Sequence, residues 1–177
     1  MENQSYPVTK HSLIYGVYIS IVLIILTLIF YVLNLHTAKW PAYISYAALL
    51  AGVVYASLQY RDKRLGGFAT YGQCFSSGFM AGLFAAIIMG IFSYIFITML
   101  GESFTADMLQ NAEDNMLEAR PNMSDEELDM AMGITKNMMK PLWMALITIV
   151  SFIFLSLVFS LIASIFIKKE KPEEAGA

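Results

Sequence analysis

One cysteine, Cys74, stands in 177 residues, which excludes an intramolecular disulfide and any cysteine metal cage. Its preferred reading is a small buried residue. Charge is also scarce: 14% of residues are charged, against about a quarter in ordinary soluble domains. All 25 of them lie outside four apolar stretches, 12–35, 41–60, 74–100 and 141–167. Ion-coupled transporters and intramembrane enzymes place an ionisable group at membrane depth, so this distribution argues against both. The two histidines, His11 and His36, belong to opposite membrane faces in the topology derived below and form no common site. Neither a zinc-type motif nor a nucleophile motif occurs. The expectation is therefore no catalysis, no cofactor and no bound metal.

What remains is apolar. With 58% hydrophobic residues the chain belongs in a membrane, and its length suits one domain of four spanning helices plus one extramembrane excursion. The first run, 12–35, exceeds the length of a signal-peptide core, and His36-Thr37-Ala38 is a poor cleavage pattern, so it reads as a span. Tyr15, Tyr18 and Tyr31 stand near its ends as headgroup anchors. Pro41 suits the first position of the second helix. The expected fold class is all-α: a polytopic membrane protein, a four-transmembrane-helix bundle with an amphipathic helical hairpin between helices three and four.

The third span carries the strongest pattern. Gly78, Gly82, Ala86 and Gly90 recur every four residues, beside a parallel row of Ser77, Ala81 and Ala85. Both rows share one helical face, and in lipid such faces let helix backbones approach closely. Ala48, Gly52 and Ala56 repeat the spacing in the second helix, which makes that helix the expected partner of the glycine row. Ser156, Ser160 and Ser164 repeat it again in the fourth.

Between helices two and three the loop carries Arg61, Lys63 and Arg64, followed by Gly66, Gly67, Phe68, Tyr71 and Gly72. Glycine-rich backbone beside basic residues can cradle a phosphate, but no Walker or dinucleotide spacing is present, so turn formation and topology are the preferred reading. Segment 101–140 holds nine acids against Arg120, Lys136 and Lys140, a net charge of −6. Seven of the eleven basic residues, Lys10, Arg61, Lys63, Arg64, Lys168, Lys169 and Lys171, fall on the opposite side, which puts both termini in the cytoplasm.

The acidic excursion shows helical periodicity twice, separated by Arg120-Pro121-Asn122-Met123. Phe104, Met108, Leu109, Ala112 and Met116 share one face of the first arm. Ser124 and Glu127 form a capping box at the start of the second, whose apolar face carries Met130, Ala131, Ile134, Met138 and Met139. The hairpin is expected to lie over the bundle or along the headgroups. Pro141 bends or restarts the chain there. Nine of twelve methionines fall between Met99 and Met144. Clustered thioethers suit Cu(I), but no histidine or cysteine completes a site, so flexible packing is preferred. The acids match no EF-hand spacing.

Tyr60-Arg61, then Gly66-Gly67-Phe68-x-Thr70-Tyr71-Gly72-x-x-Phe75 running into a Gly/Ala-rich helix, resembles the domain-of-unknown-function family 4199 of small bacterial membrane proteins. The acidic hairpin with Ser124-Asp125-Glu126-Glu127 fits as well. The chain departs from that pattern at Ser76, where a basic residue is frequent, and lacks a proline around 101–104. The resemblance implies a four-span protein of the bacterial inner membrane, Bacteroidetes type, without an assigned activity.

The leading functional expectation is a non-catalytic scaffold or accessory subunit. Its partners would be the lipid bilayer and another membrane protein or a second copy, with no nucleic acid. The alternative is a small lipid or solute carrier serving polyprenyl-linked glycosyl transfer.

Overall fold

The computed structural model describes residues 7–35, 38 and 40–170. The amino-terminal arm before Pro7, His36 and Thr37, and the basic residue Lys171 lie outside the described residues. Five helices follow in order: α1 (Val8–Val32), α2 (Trp40–Arg64), α3 (Tyr71–Ala119), α4 (Asp125–Met138) and α5 (Pro141–Ile167). Among the described residues no strand forms, and α1, α2, α3 and α5 are each long and apolar enough to cross a membrane. The architecture is an all-α, four-span bundle. In lipid this follows from backbone chemistry, because an intrahelical bond is what satisfies each N–H and C=O where no water can.

The helix ends are marked by ordinary signals. Thr70 and Gln73 close a reciprocal capping box at the start of α3, with the Thr70 N–H donating to Gln73 Oε1 at 2.9 Å. Ser124 and Glu127 do the same for α4, whose first turn carries Asp125, Glu126 and Glu127 beside the positive end of the helix dipole. Pro141 restarts the chain at the first position of α5, after Lys140 leaves helical geometry at ψ 141°. Arg61, Lys63 and Arg64 occupy the last turn of α2, where cations favour the dipole.

α3 is 49 residues long, roughly 74 Å at 1.5 Å per residue, more than twice the hydrocarbon thickness. It is interrupted at Gly101, whose φ of 73° and ψ of −159° lie in a region open essentially to glycine alone. Beyond that break the chain leans back toward the outer ends of α1 and α2: Phe104 stands 5.9 Å from the Tyr31 ring, and Asn111, Asp114, Asn115 and Glu118 face Trp40 and Tyr43 across a groove of about 600 Å³. Met108, Ala112 and Met116 are half-buried there. Of the two expected placements, α4 does not lie buried over the bundle: none of its residues is buried, and Met130, Ile134 and Met138 are 68%, 59% and 49% exposed.

α2 and α3 touch each other and both outer spans, whereas α1 and α5 do not touch. The four spans therefore form a rhombus with α2 and α3 on its short diagonal. Leu23, Leu49, Val53, Ala81 and Ala85 fill its centre at 0–1% exposure.

Candidate functional site

Three constructions organise the bundle, and each takes up residues singled out in the sequence. The first is a seam between α3 and α5. A methyl group added at Gly82 would overlap the Ser156 hydroxyl, one at Gly78 would stand 3.1 Å from the Ser160 hydroxyl, and one at Gly90 would overlap Ile149. Moving four residues up α3 moves four residues down α5, so the two rows are in antiparallel register. Ala86, fully buried, sits in the same row. Both serine hydroxyls are buried and have no hydrogen-bond partner among the described residues, so they lie against glycine backbone, where only weak Cα–H contacts are on offer.

This corrects the expected pairing of the glycine row with the Ala48-Gly52-Ala56 row. α2 meets Gly78 and Gly82 through Val53 and Ser57 instead, while Gly52 turns to Ile19 of α1, 2.5 Å from where its own Cβ would be. The neighbouring row of α3 goes to α1: Gly16 lies against Ala81 and Ala85, and Ser12 donates to the Ser77 carbonyl at 3.0 Å. The rows of α3 and α5 are buried inside the chain, whereas Ala48 and Gly52 of α2 remain partly exposed.

The second construction is a polar knot at the end of the bundle that holds the start of α1. His11 is 3% exposed, and its Nε2 donates to the Ala56 carbonyl at 3.0 Å. The Ser77 hydroxyl reaches the same carbonyl at 3.4 Å, and Ser57 donates to the Cys74 carbonyl at 2.9 Å. The His11 ring packs between Tyr15, with centroids 4.4 Å apart, and Tyr60 at 5.1 Å. His11 precedes the apolar stretch 12–35, but α1 begins at Val8 and takes it into the bundle. Its acceptor is a backbone carbonyl, which leaves no mark in a sequence.

The third is a clasp between the α2–α3 loop and the end of α5. Arg61 donates through Nη1 to the Ile167 carbonyl at 2.8 Å while its Nε pairs with Asp62 at 2.6 Å. Gly66 and Gly67, at φ 69° and 89°, turn the chain so that Ala69 and Lys169 exchange backbone hydrogen bonds of 2.8 and 2.9 Å. Lys169 Nζ sits over the Phe68 ring at 5.3 Å, and the Tyr71 hydroxyl donates to the Leu161 carbonyl at 3.2 Å. Gly72 is exposed, and nothing stands within 4 Å of its open side. The loop residues thus hold the end of α5.

The family model described as Protein of unknown function (DUF4199) matches residues 14–169. The chain belongs to the DUF4199 family. The matched region closes at Lys169, the residue that pairs with Ala69 in the clasp. No curated protein and no solved structure matches the chain.

For this DUF4199 protein the chemistry available at the three constructions is that of packing and backbone capture. Among the described residues no three His, Cys, Asp or Glu side chains gather as metal ligands would. The signal that sequence reading passed over is Thr70-x-x-Gln73, a capping pattern legible in advance.

Proposed function

We propose that this DUF4199 protein is a non-catalytic scaffold or accessory subunit of the bacterial inner membrane, which docks another membrane protein or a second copy through the acidic segment between α3 and α5. The observation that carries this reading is the exposed row Met130, Ile134 and Met138 on α4, whose start carries Asp125, Glu126, Glu127 and Asp129. Methionine-rich faces adapt to varied partners. The glycine row of α3 and the serine row of α5 are engaged with each other within the chain, so they are not the docking surface. The carrier reading has less support, because the middle of the bundle is filled by Leu23, Leu49 and Val53.

Photo-crosslinking from position 134 in native membranes tests the proposal. The expected result is one recurrent protein adduct, lost when Met130→Glu and Met138→Glu are introduced; adducts with lipid alone overturn it.

Orientation belongs to the same proposal. The start of α1, the Arg61 loop and the end of α5 meet at one end of the bundle, and basic residues collect there. The positive-inside tendency makes that end cytoplasmic. With Cys74 fully buried, a cysteine at Asn122 supplies the readable thiol. A membrane-impermeant maleimide should label Asn122→Cys from outside intact cells, and labelling from the cytoplasmic side alone would overturn the topology.

A further inference from the structure

At the end of the bundle away from the polar knot, the break in α3 at Gly101 and the passage from α4 into α5 enclose a groove of about 600 Å³. The volume falls within the range of roughly 300–1,000 Å³ typical of small-molecule sites. Ile97, 5% exposed, forms its floor, and Leu109, Met139 and Pro141 stand half-buried around it.

The polar groups of the groove are sorted by wall. α3 supplies the Glu102 carboxylate and the hydroxyls of Thr98 and Thr105, which donate to the Tyr94 and Gly101 carbonyls of their own helix at 2.7 and 3.3 Å. With those protons engaged the hydroxyls offer lone pairs, and an ionised carboxylate only accepts, so this wall is a set of acceptors. Facing it, the end of α4 and the entry to α5 supply Lys136 and Lys140, whose ammonium groups only donate. Among the described residues neither lysine is ion-paired with Glu102 or with any other acid. Segment 101–140 holds only three basic residues beside nine acids, and two of the three line this groove.

Depth indicates what kind of molecule meets these walls. Counting from Tyr71 at the start of α3, Ile97 lies roughly 39 Å and Gly101 roughly 45 Å along the helix, at 1.5 Å per residue. A bilayer with its headgroups is roughly 40–45 Å thick, so the groove stands in the headgroup layer of the leaflet at this end, with its apolar floor on the hydrocarbon side.

We propose that this groove binds a zwitterionic phospholipid whose headgroup ends in a primary ammonium, as in phosphatidylethanolamine, with the phosphate on Lys136 and Lys140 and the ammonium on Glu102 and the two threonine hydroxyls. Such a headgroup carries an anion and a cationic donor side by side, so one ligand serves both walls. A quaternary ammonium has no N–H to give the acceptor wall, and a headgroup with a phosphate alone leaves Glu102 without a cation. The glycerol end lies over Ile97 and Pro141. The site does not depend on a partner at Met130, Ile134 and Met138.

Native mass spectrometry of the detergent-purified protein tests it, with phosphatidylethanolamine, phosphatidylcholine and phosphatidylglycerol of identical chains as probes. Wild type should retain one phosphatidylethanolamine per chain with a preference of about tenfold or more over each of the others, the size of one charge-assisted hydrogen bond. Glu102→Gln should turn the order round in favour of phosphatidylglycerol, a gain that a misfolded protein would not give. Lys136→Gln with Lys140→Gln should lose both lipids, whereas Lys63→Gln with Lys168→Gln, which removes the same charge at the opposite end, should change neither. Glycerophosphoethanolamine, the same headgroup without chains, should compete only weakly; competition as strong as that of the lipid overturns the assignment to a lipid. Equal retention of the three lipids by wild type, a wild-type preference for phosphatidylglycerol, or an unchanged order in Glu102→Gln overturns the proposal.

Discussion

Gly82→Leu is expected to destabilise the bundle by forcing α3 and α5 apart. The Ser156 hydroxyl already occupies the volume of a side chain at this position, and Val53 closes it from α2 at 3.5 Å. A leucine has no free side to turn to, so α3 and α5 must separate or shift in register. Overpacking of this kind costs about 1–3 kcal/mol, and Gly78, one turn away, would lose its fit with Ser57 and Ser160 as well. Thermal unfolding in detergent measures it. Leu83→Ile, at a half-buried neighbour, keeps volume and should cost less than about 1.5 kcal/mol. Exchanging the pair, Gly82→Ser with Ser156→Gly, should recover part of the loss, because contacting residues couple by about 0.5–3 kcal/mol. Wild-type melting of Gly82→Leu would show that the seam is not a close contact.

The spans were legible because lipid leaves the chain so little choice: long apolar runs must become helices, and Arg61, Pro141 and Lys168 punctuate them. The partner of the glycine row was not. Its four-residue spacing is matched equally by Ala48-Gly52-Ala56 and by Ser156-Ser160-Ser164, and spacing says nothing about which helix approaches. The choice rests on three-dimensional fit, since Ile19 of α1 fills the hollow at Gly52 while serine hydroxyls fill those at Gly78 and Gly82. The role of the Arg61 loop was hidden for a related reason. Arg61 reaches the carbonyl of Ile167, 106 residues away, and backbone acceptors are the same at every position of a sequence. Gly101 was visible as a glycine, but its positive φ could not be told from that of a residue chosen for smallness. α4 shows the opposite case: its capping box and apolar row were both readable, yet Met130 and Ile134 stay 68% and 59% exposed.

The second large effect is expected at His11, where the polar knot ties α1 to α2. His11→Ala removes the hydrogen bond to the Ala56 carbonyl and both ring contacts, with Tyr15 and Tyr60, and leaves a hole at a site 3% exposed. Within a helix that carbonyl already accepts a backbone N–H, so losing the imidazole strips its second lone pair without orphaning it. The hydrogen bond is therefore worth about 0.5–1.5 kcal/mol and each ring contact a similar amount, which makes the expected loss about 2–4 kcal/mol once the cavity is included. Two further substitutions separate the contributions. His11→Phe restores the rings without the donor, and His11→Gln restores the donor without the rings, so both should melt between wild type and His11→Ala. Ser77→Ala should be mild alone, because its bond to the same carbonyl is long at 3.4 Å. Combined with His11→Ala it should cost more than the sum of the two, since the carbonyl then keeps neither side-chain donor. Strict additivity would mean that the two side chains do not share Ala56. Wild-type stability of His11→Ala would mean that α1 is held by its other contacts, at Ser12, Gly16 and Ile19.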